Sequence, residues 1–302
     1  MRRIPIITSA VVLGSVLSVA TAFATPPTGD LKWEDYARAQ TVESASVPIV
    51  GGTTLVRGSY SVASGGETGW RNLPGTTVLA VTKGKLMLHG GEGCAAKEYA
   101  TGQAAVIPAG VYQVHNPGSD PLDFFGIFFG QPSGATKPLA EGSTEPAPAE
   151  CGGVKAAGLS PSGVSVATSA AGVFTSAYYN EGATVEIKAG LDMFATRYEA
   201  APGWSSGWFA HYPAVNVMEE GELTYVEAKD GKCDDSEVYR AGDSFYHPRH
   251  RHIAANEGKE RMIITTMYFN LPHDERLPGP AGNQLTAADF SQAPPADCPR
   301  LR

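Results

Sequence analysis

The sequence predicts an all-β protein made of two β-barrels in tandem. Two observations carry that prediction. Short apolar runs separated by Gly, Pro or Asp fill most of the chain, and one segment occurs twice. Residues 63–132 align with residues 201–272. Gly69-Trp70 answers Gly207-Trp208 at an offset of 138, and Gly84-Lys85-Leu86 answers Gly221-Glu222-Leu223 at 137. Cys94 answers Cys233 at 139, and Gly102, Pro108, Asn116, Gly118 and Pro132 answer Gly242, Pro248, Asn256, Gly258 and Pro272 at 140. Gly, Pro and Asn set backbone geometry at turns and strand ends, so a shared spacing of these residues implies the same fold in both halves.

Within the first copy the strand-like runs are Thr77 to Val81, Lys85 to Leu88, Ala104 to Ile107 and Phe124 to Phe129. In the second they are Met193 to Glu199, Val215 to Met218, Leu223 to Val226 and Met262 to Phe269. Many short strands with regular turn signals indicate a sandwich or barrel. Helical periodicity is expected only at Trp33 to Gln40 and Thr286 to Phe290. The chain accordingly divides into an arm (25–49), a first domain (50–135), a Pro/Gly/Ala-rich linker (136–165), a second domain (166–272) and a tail (273–302).

Composition narrows the function. The 302 residues include 35 Gly and 22 Pro, suited to a turn-rich β protein and below the level of low-complexity chains. Only 18% are charged and the formal net charge is −8, which gives no nucleic-acid footprint. Residues 1–24 place Arg2 and Arg3 before an apolar stretch that ends in Ala22-Phe23-Ala24, the three parts of a cleaved secretory signal. Cleavage would take the net charge from −8 to −10 and deliver a secreted or periplasmic protein with no membrane segment.

Export makes disulfides the expected state of Cys94, Cys151, Cys233 and Cys298. The repeat orders them. Cys94 and Cys233 occupy one place in each copy, and Cys151 and Cys298 each follow a copy, so symmetry suggests Cys94–Cys151 and Cys233–Cys298. A Cys151–Cys298 bridge is the alternative.

The residues resemble the cupin family. Its second motif runs Gly, five residues, Pro-x-Gly, two residues, His, three residues, Asn. Gly242, Pro248, His252 and Asn256 follow that frame with one residue fewer between Pro248 and His252, and Gly102, Pro108, Gly110 and Asn116 keep it in the first copy. The opening Gly-Trp is similar to exported bacterial members whose first motif begins G-W-H-x-H. The resemblance implies two tandem jelly-roll (double-stranded β-helix) barrels, each able to hold a divalent metal on imidazoles and a carboxylate.

In the first copy the G-W-H-x-H place reads Gly69-Trp70-Arg71-Asn72-Leu73, and Gln113 stands at the motif 2 histidine counted from Pro108, so that barrel is expected to lack metal. The second copy keeps His211, has Phe209 in place of the other histidine, and puts Ala214 at the glutamate position. It adds Tyr246-His247-Pro248-Arg249-His250-Arg251-His252. In an extended segment His250 and His252 share a face, and His211 on a neighbouring strand joins them. His211, His250 and His252 are therefore the candidate ligands for Fe, Mn, Cu, Ni or Zn. Trp208, Phe209, Tyr246, His247, Arg249 and Arg251 are weaker ligand-binding candidates.

By resemblance, the second barrel is expected to serve a metal-dependent oxidoreductase of dioxygenase type, with a small organic molecule as substrate. The other readings are a non-catalytic small-molecule or carbohydrate binder with a vestigial metal site, and a structural protein. Homodimer formation is left open.

Overall fold

The computed structural model describes residues 28–140, 144–152, 162–175, 182–229, 232–233, 237–249 and 251–273. The arm forms β1 (Leu31–Thr41) and β2 (Ala45–Pro48). The first copy supplies β3 (Thr54–Glu67), β4 (Arg71–Leu73), β5 (Thr77–Lys83), β6 (Lys85–Gly90), β7 (Lys97–Ala100), β8 (Gln103–Ile107), β9 (Gly110–His115) and β10 (Leu122–Gln131). Then come β11 (Ser162–Phe174) and β12 (Thr184–Ile187). The second copy supplies β13 (Asp192–Ala200), β14 (Phe209–Ala210), β15 (Ala214–Glu220), β16 (Glu222–Lys229), β17 (Lys232–Cys233), β18 (Glu237–Arg240), β19 (Asp243–His247), β20 (Arg251–Ala255) and β21 (Met262–Leu271).

Both copies fold alike. In the first, one sheet runs β3-β10-β5-β8 and a second runs β4-β9-β6-β7. In the second, β13-β21-β15-β19 faces β14-β20-β16-β18. Two four-stranded sheets joined by crossing connections in this order make a jelly roll. The protein is all-β, two such barrels in tandem.

The spacing residues of the repeat have physical roles. Gly84 and Gly221 turn between β5 and β6 and between β15 and β16 with φ of 82° and 69°. A Cβ at Gly221 would collide with the Arg261 carbonyl, and one at Gly84 would press on that of Pro121. The Asn116 Nδ2 donates to the Val62 and Asp120 carbonyls while its Oδ1 accepts from Gly118 N. Asn256 repeats this with Ala200, Glu260 and Gly258.

The two barrels exchange strands. β1 precedes the first barrel but pairs antiparallel with β13 of the second, from Leu31↔Ala200 to Gln40↔Asp192. Conversely, β11 precedes the second barrel but pairs with β3 of the first. Each then ends in a short parallel pairing with the barrel next to it in sequence, β1 with β8 and β11 with β19. With β10 on β3, the ten strands β3-β10-β5-β8-β1-β13-β21-β15-β19-β11 close on themselves. Trp33 to Gln40, expected as a helix, therefore lies in β1. Ala37, Ala39 and Thr41 are buried two apart, and the ladder with β13 overrides local helix preference. Thr286 to Phe290 lies outside the described residues.

A central core fills the closed ring. Val78, Ala80, Phe125 and Ile127 meet Ala37, Met193, Val217, Met267 and Phe269 there. The opposite faces of the same strands line the barrels: Leu79, Val81, Phe124 and Phe128 in the first, and Met218, Met262 and Ile264 in the second. Burial on both faces explains why β5 and β10 read as apolar runs rather than alternating ones. Beside this core the buried Arg57 of β3 pairs with Glu219 of β15. Arg57 also donates to Thr168 of β11 and sits 5.0 Å over the Tyr36 ring, and Glu219 accepts from Thr265.

Cys94 and Cys151 are bonded, with Cα atoms 5.2 Å apart and a sequence separation of 57. Ahead of Cys151 the Glu145 N–H donates to the Trp70 carbonyl, and Leu139 packs into the first barrel's core. Cys298 lies outside the described residues.

Two stability outcomes follow. Glu219→Ala leaves the Arg57 guanidinium buried without its partner and should cost about 3 kcal/mol in chemical denaturation, whereas Arg57→Met with Glu219→Met should cost clearly less; equal costs would show that the charge pair is not the cause. Cys94→Ser with Cys151→Ser should lower stability by about 4 kcal/mol on chain entropy, measured by the same denaturant midpoint, and no change would deny the bridge a stabilising role.

Candidate metal centre

Five polar side chains converge inside the second barrel. His211 follows β14, His247 ends β19 and His252 lies in β20. Tyr225 and Glu227 stand two apart on β16, so strand alternation points both to the same face. Cross-strand pairing sets them beside the histidines: Glu227 lies opposite His252, and His252 lies opposite Phe209. The sheet of β15 and β19 brings His247 in from across the barrel.

His211, His247 and His252 are all buried, and one nitrogen from each lies within 4.8 Å of the others. One tautomer follows from a partner. The His211 Nδ1–H donates to the Tyr212 carbonyl at 2.5 Å, leaving Nε2 with its lone pair directed inward. Burial pushes the Tyr225 phenol well above its usual range, and its Oη lies within hydrogen-bond reach of His252 Nε2 at 3.0 Å. Glu227 Oε1 stands 3.3 Å from His247 Nε2, the position of a carboxylate that orients a ligating imidazole. Rings close the cluster. Phe209 packs on His252 at 4.3 Å between centroids, and Tyr268 on His211 at 5.2 Å. Burial likewise raises Tyr268, to about 12, against the hydrogen bonds from Tyr198 and Thr266. Three converging neutral imidazoles can hold a first-row divalent metal.

The ligand set expected from the sequence was His211, His250 and His252. The structure brings His211 and His252 together and adds His247; His250 lies outside the described residues. Among the weaker candidates, Phe209 borders the cluster. Tyr246 projects from the opposite face of β19 into the central core, and Trp208 packs with Val226, Ile253 and Ala255 on the far face of β20. Arg249 is exposed, its guanidinium 5.0 Å over the Tyr212 ring. The Arg251 backbone belongs to β20.

Sequence reasoning passed over Tyr225 and Glu227, although the repeat contains a signal for them. By strand register the first barrel puts Leu88 at the place of Tyr225, Gly90 at Glu227, Ile107 at His247 and Tyr112 at His252. Leu73 answers His211 at the offset of 138 that relates the two Gly-Trp pairs. Counting from Asn116 rather than Pro108 would have selected Tyr112 over Gln113. Leu73, Leu88, Ile107 and Tyr112 all belong to the first barrel's apolar core.

No family model matches the chain, and no curated protein matches it. Solved structures that resemble it include AerE from Microcystis aeruginosa, 13% identical, TM-score 0.29, covering 82% of this chain and 98% of that one. Another is oxalate decarboxylase from Bacillus subtilis, 12% identical, TM-score 0.34, covering 83% and 78%. The fold class rests on this chain's own strand order.

The Glu227 contact gives a direct outcome. Glu227→Gln should weaken Zn²⁺ or Mn²⁺ binding about 10- to 100-fold, read by competition with a chelating dye. Unchanged affinity would remove Glu227 from the site.

Proposed function

We propose that this is an exported protein whose second barrel holds a divalent transition metal through His211, His247 and His252, with Glu227 orienting His247, and that it acts as a metal-dependent oxidoreductase on a small organic molecule. The observation that carries this reading is the comparison between the repeats. Burying imidazoles, a phenol and a carboxylate is costly unless each finds a partner, and the first barrel shows that the fold stands with apolar side chains at the same places. A polar cluster the fold does not need is a functional one. A bound metal would supply Lewis acidity, and its identity among Fe, Mn, Cu, Ni and Zn is open, since imidazole sites discriminate poorly among them. Export is supported by the Cys94–Cys151 bridge, which suits an oxidising compartment. Among the described residues no helix is long and apolar enough to cross a membrane.

A second reading, a metal-free binder of small molecules or carbohydrates, draws on the exposed Arg249 stacked over Tyr212 beside His211. The two readings part on elemental analysis of residues 25–302 produced in an oxidising compartment. The metal reading expects near-stoichiometric metal, lost in His211→Ala and His252→Ala and kept in Gln113→Ala. Metal absent even after reconstitution would leave the binder. His247→Ile, which installs the first barrel's residue, should abolish binding while keeping the thermal midpoint of the metal-free protein at or above wild type. A large drop in that midpoint would mean that His247 serves the fold.

A further inference from the structure

Tyr225 lies among the histidines rather than beside them. Its Oη is 3.0 Å from His252 Nε2 and 3.5 Å from His211 Nε2. Its ring packs on His247 and His252 at 4.3 and 4.6 Å between centroids. The His211 Nδ1–H is committed to the Tyr212 carbonyl, and the one phenol oxygen faces the Nε2 atoms of both His211 and His252.

The spacing has a second meaning. Donor atoms held at about 2.0–2.1 Å around a tetrahedral cation lie about 3.3–3.4 Å from one another, and about 2.9 Å apart where they subtend a right angle. The 3.0 Å from Tyr225 Oη to His252 Nε2 falls in that range, and the 3.5 Å to His211 Nε2 lies just above it. The repeat offers an independent observation. On the equivalent strand the first barrel carries Leu88, packed in its apolar core, so a phenol is not what this position of the fold demands.

We infer, resting on the metal reading above, that Tyr225 is itself a ligand through Oη, which makes the centre a three-histidine, one-phenolate site. On binding, the metal takes the place of the phenol proton of Tyr225. That proton passes to buffer and no electrons move. An anionic oxygen beside three imidazoles adds charge to the donor set. It therefore favours strongly Lewis-acidic ions such as Cu²⁺ and ferric iron, and it sets this centre apart from one built on neutral donors.

The test loads the intact mature chain with Cu²⁺ alone and records stoichiometry and the visible spectrum together. The expected result is one Cu²⁺ per chain with a visible phenolate-to-copper charge-transfer band. Zn²⁺, with its filled d shell, should give none. Tyr225→Phe keeps the ring and the imidazoles; it should bind Cu²⁺ more weakly and lose the band. Tyr268→Phe, which alters another buried phenol near His211, should keep it. Copper bound by wild type without the band, or a band that survives Tyr225→Phe, overturns the Tyr225 assignment and leaves the histidine site standing. Failure of wild type to bind, or equal copper in His252→Ala, overturns the metal reading itself. Should Tyr225→Phe fold poorly by circular dichroism, resonance Raman excitation within the wild-type band decides alone: phenolate ring modes support the assignment, and their absence defeats it.

Discussion

The closed ring of ten strands is the constraint on which the rest of this molecule depends. A sheet edge is a row of unsatisfied backbone groups, and each barrel's larger sheet would present one at β3 or β13. Reciprocal donation of β11 to β3 and of β1 to β13 covers both edges and makes each barrel part of the other's wall. The ring also encloses a large apolar cluster, and strands such as β5, β10 and β21 are buried on both faces. Arg57 and Glu219 sit at this junction, a charge pair tying β3 of one barrel to β15 of the other.

That rigidity matters to the candidate centre. β15, β19 and β21 belong at once to the ring and to the wall behind the histidines. His247 ends β19, and its neighbour Tyr246 is anchored in the central core on the opposite face. Donors carried by such strands are held in place by packing and do not depend on loops for their positions. The other sheet provides Glu227 from β16 and His252 from β20, whose pairing fixes the register, and His211 stands just after β14. The imidazoles are buried among aromatic rings, and a low-dielectric surrounding strengthens polar contacts.

The two barrels also act as a controlled comparison within one chain. They share strand order, turn glycines and the Asn-x-Gly clamp, yet differ at the places where a site can form. Leu73, Leu88, Ile107 and Tyr112 pack an apolar interior in one; His211, Tyr225, His247 and His252 make a polar one in the other. One backbone plan thus accommodates either set of side chains at these positions.

The sequence by itself determined the class of fold, the duplication and the turns that punctuate it, and its symmetry suggested the partnership of Cys94 with Cys151 while leaving Cys151 with Cys298 as the alternative. Those features are written in local residue types, since glycine at positive φ, Asn-x-Gly and apolar runs each fix nearby backbone. It also marked His211 and His252, because motif spacing along a strand is local. Only the tertiary structure decided that Trp33 to Gln40 is a strand, since the β13 ladder that makes it one lies more than 150 residues away. Only the structure brought His247, Tyr225 and Glu227 to the same place, because they come from separate strands whose register is set by hydrogen bonds across the sheet and by packing across the barrel. That His247 and His252 both face inward is likewise decided by where β19 ends and β20 begins, a question of pairing that residue type alone does not answer.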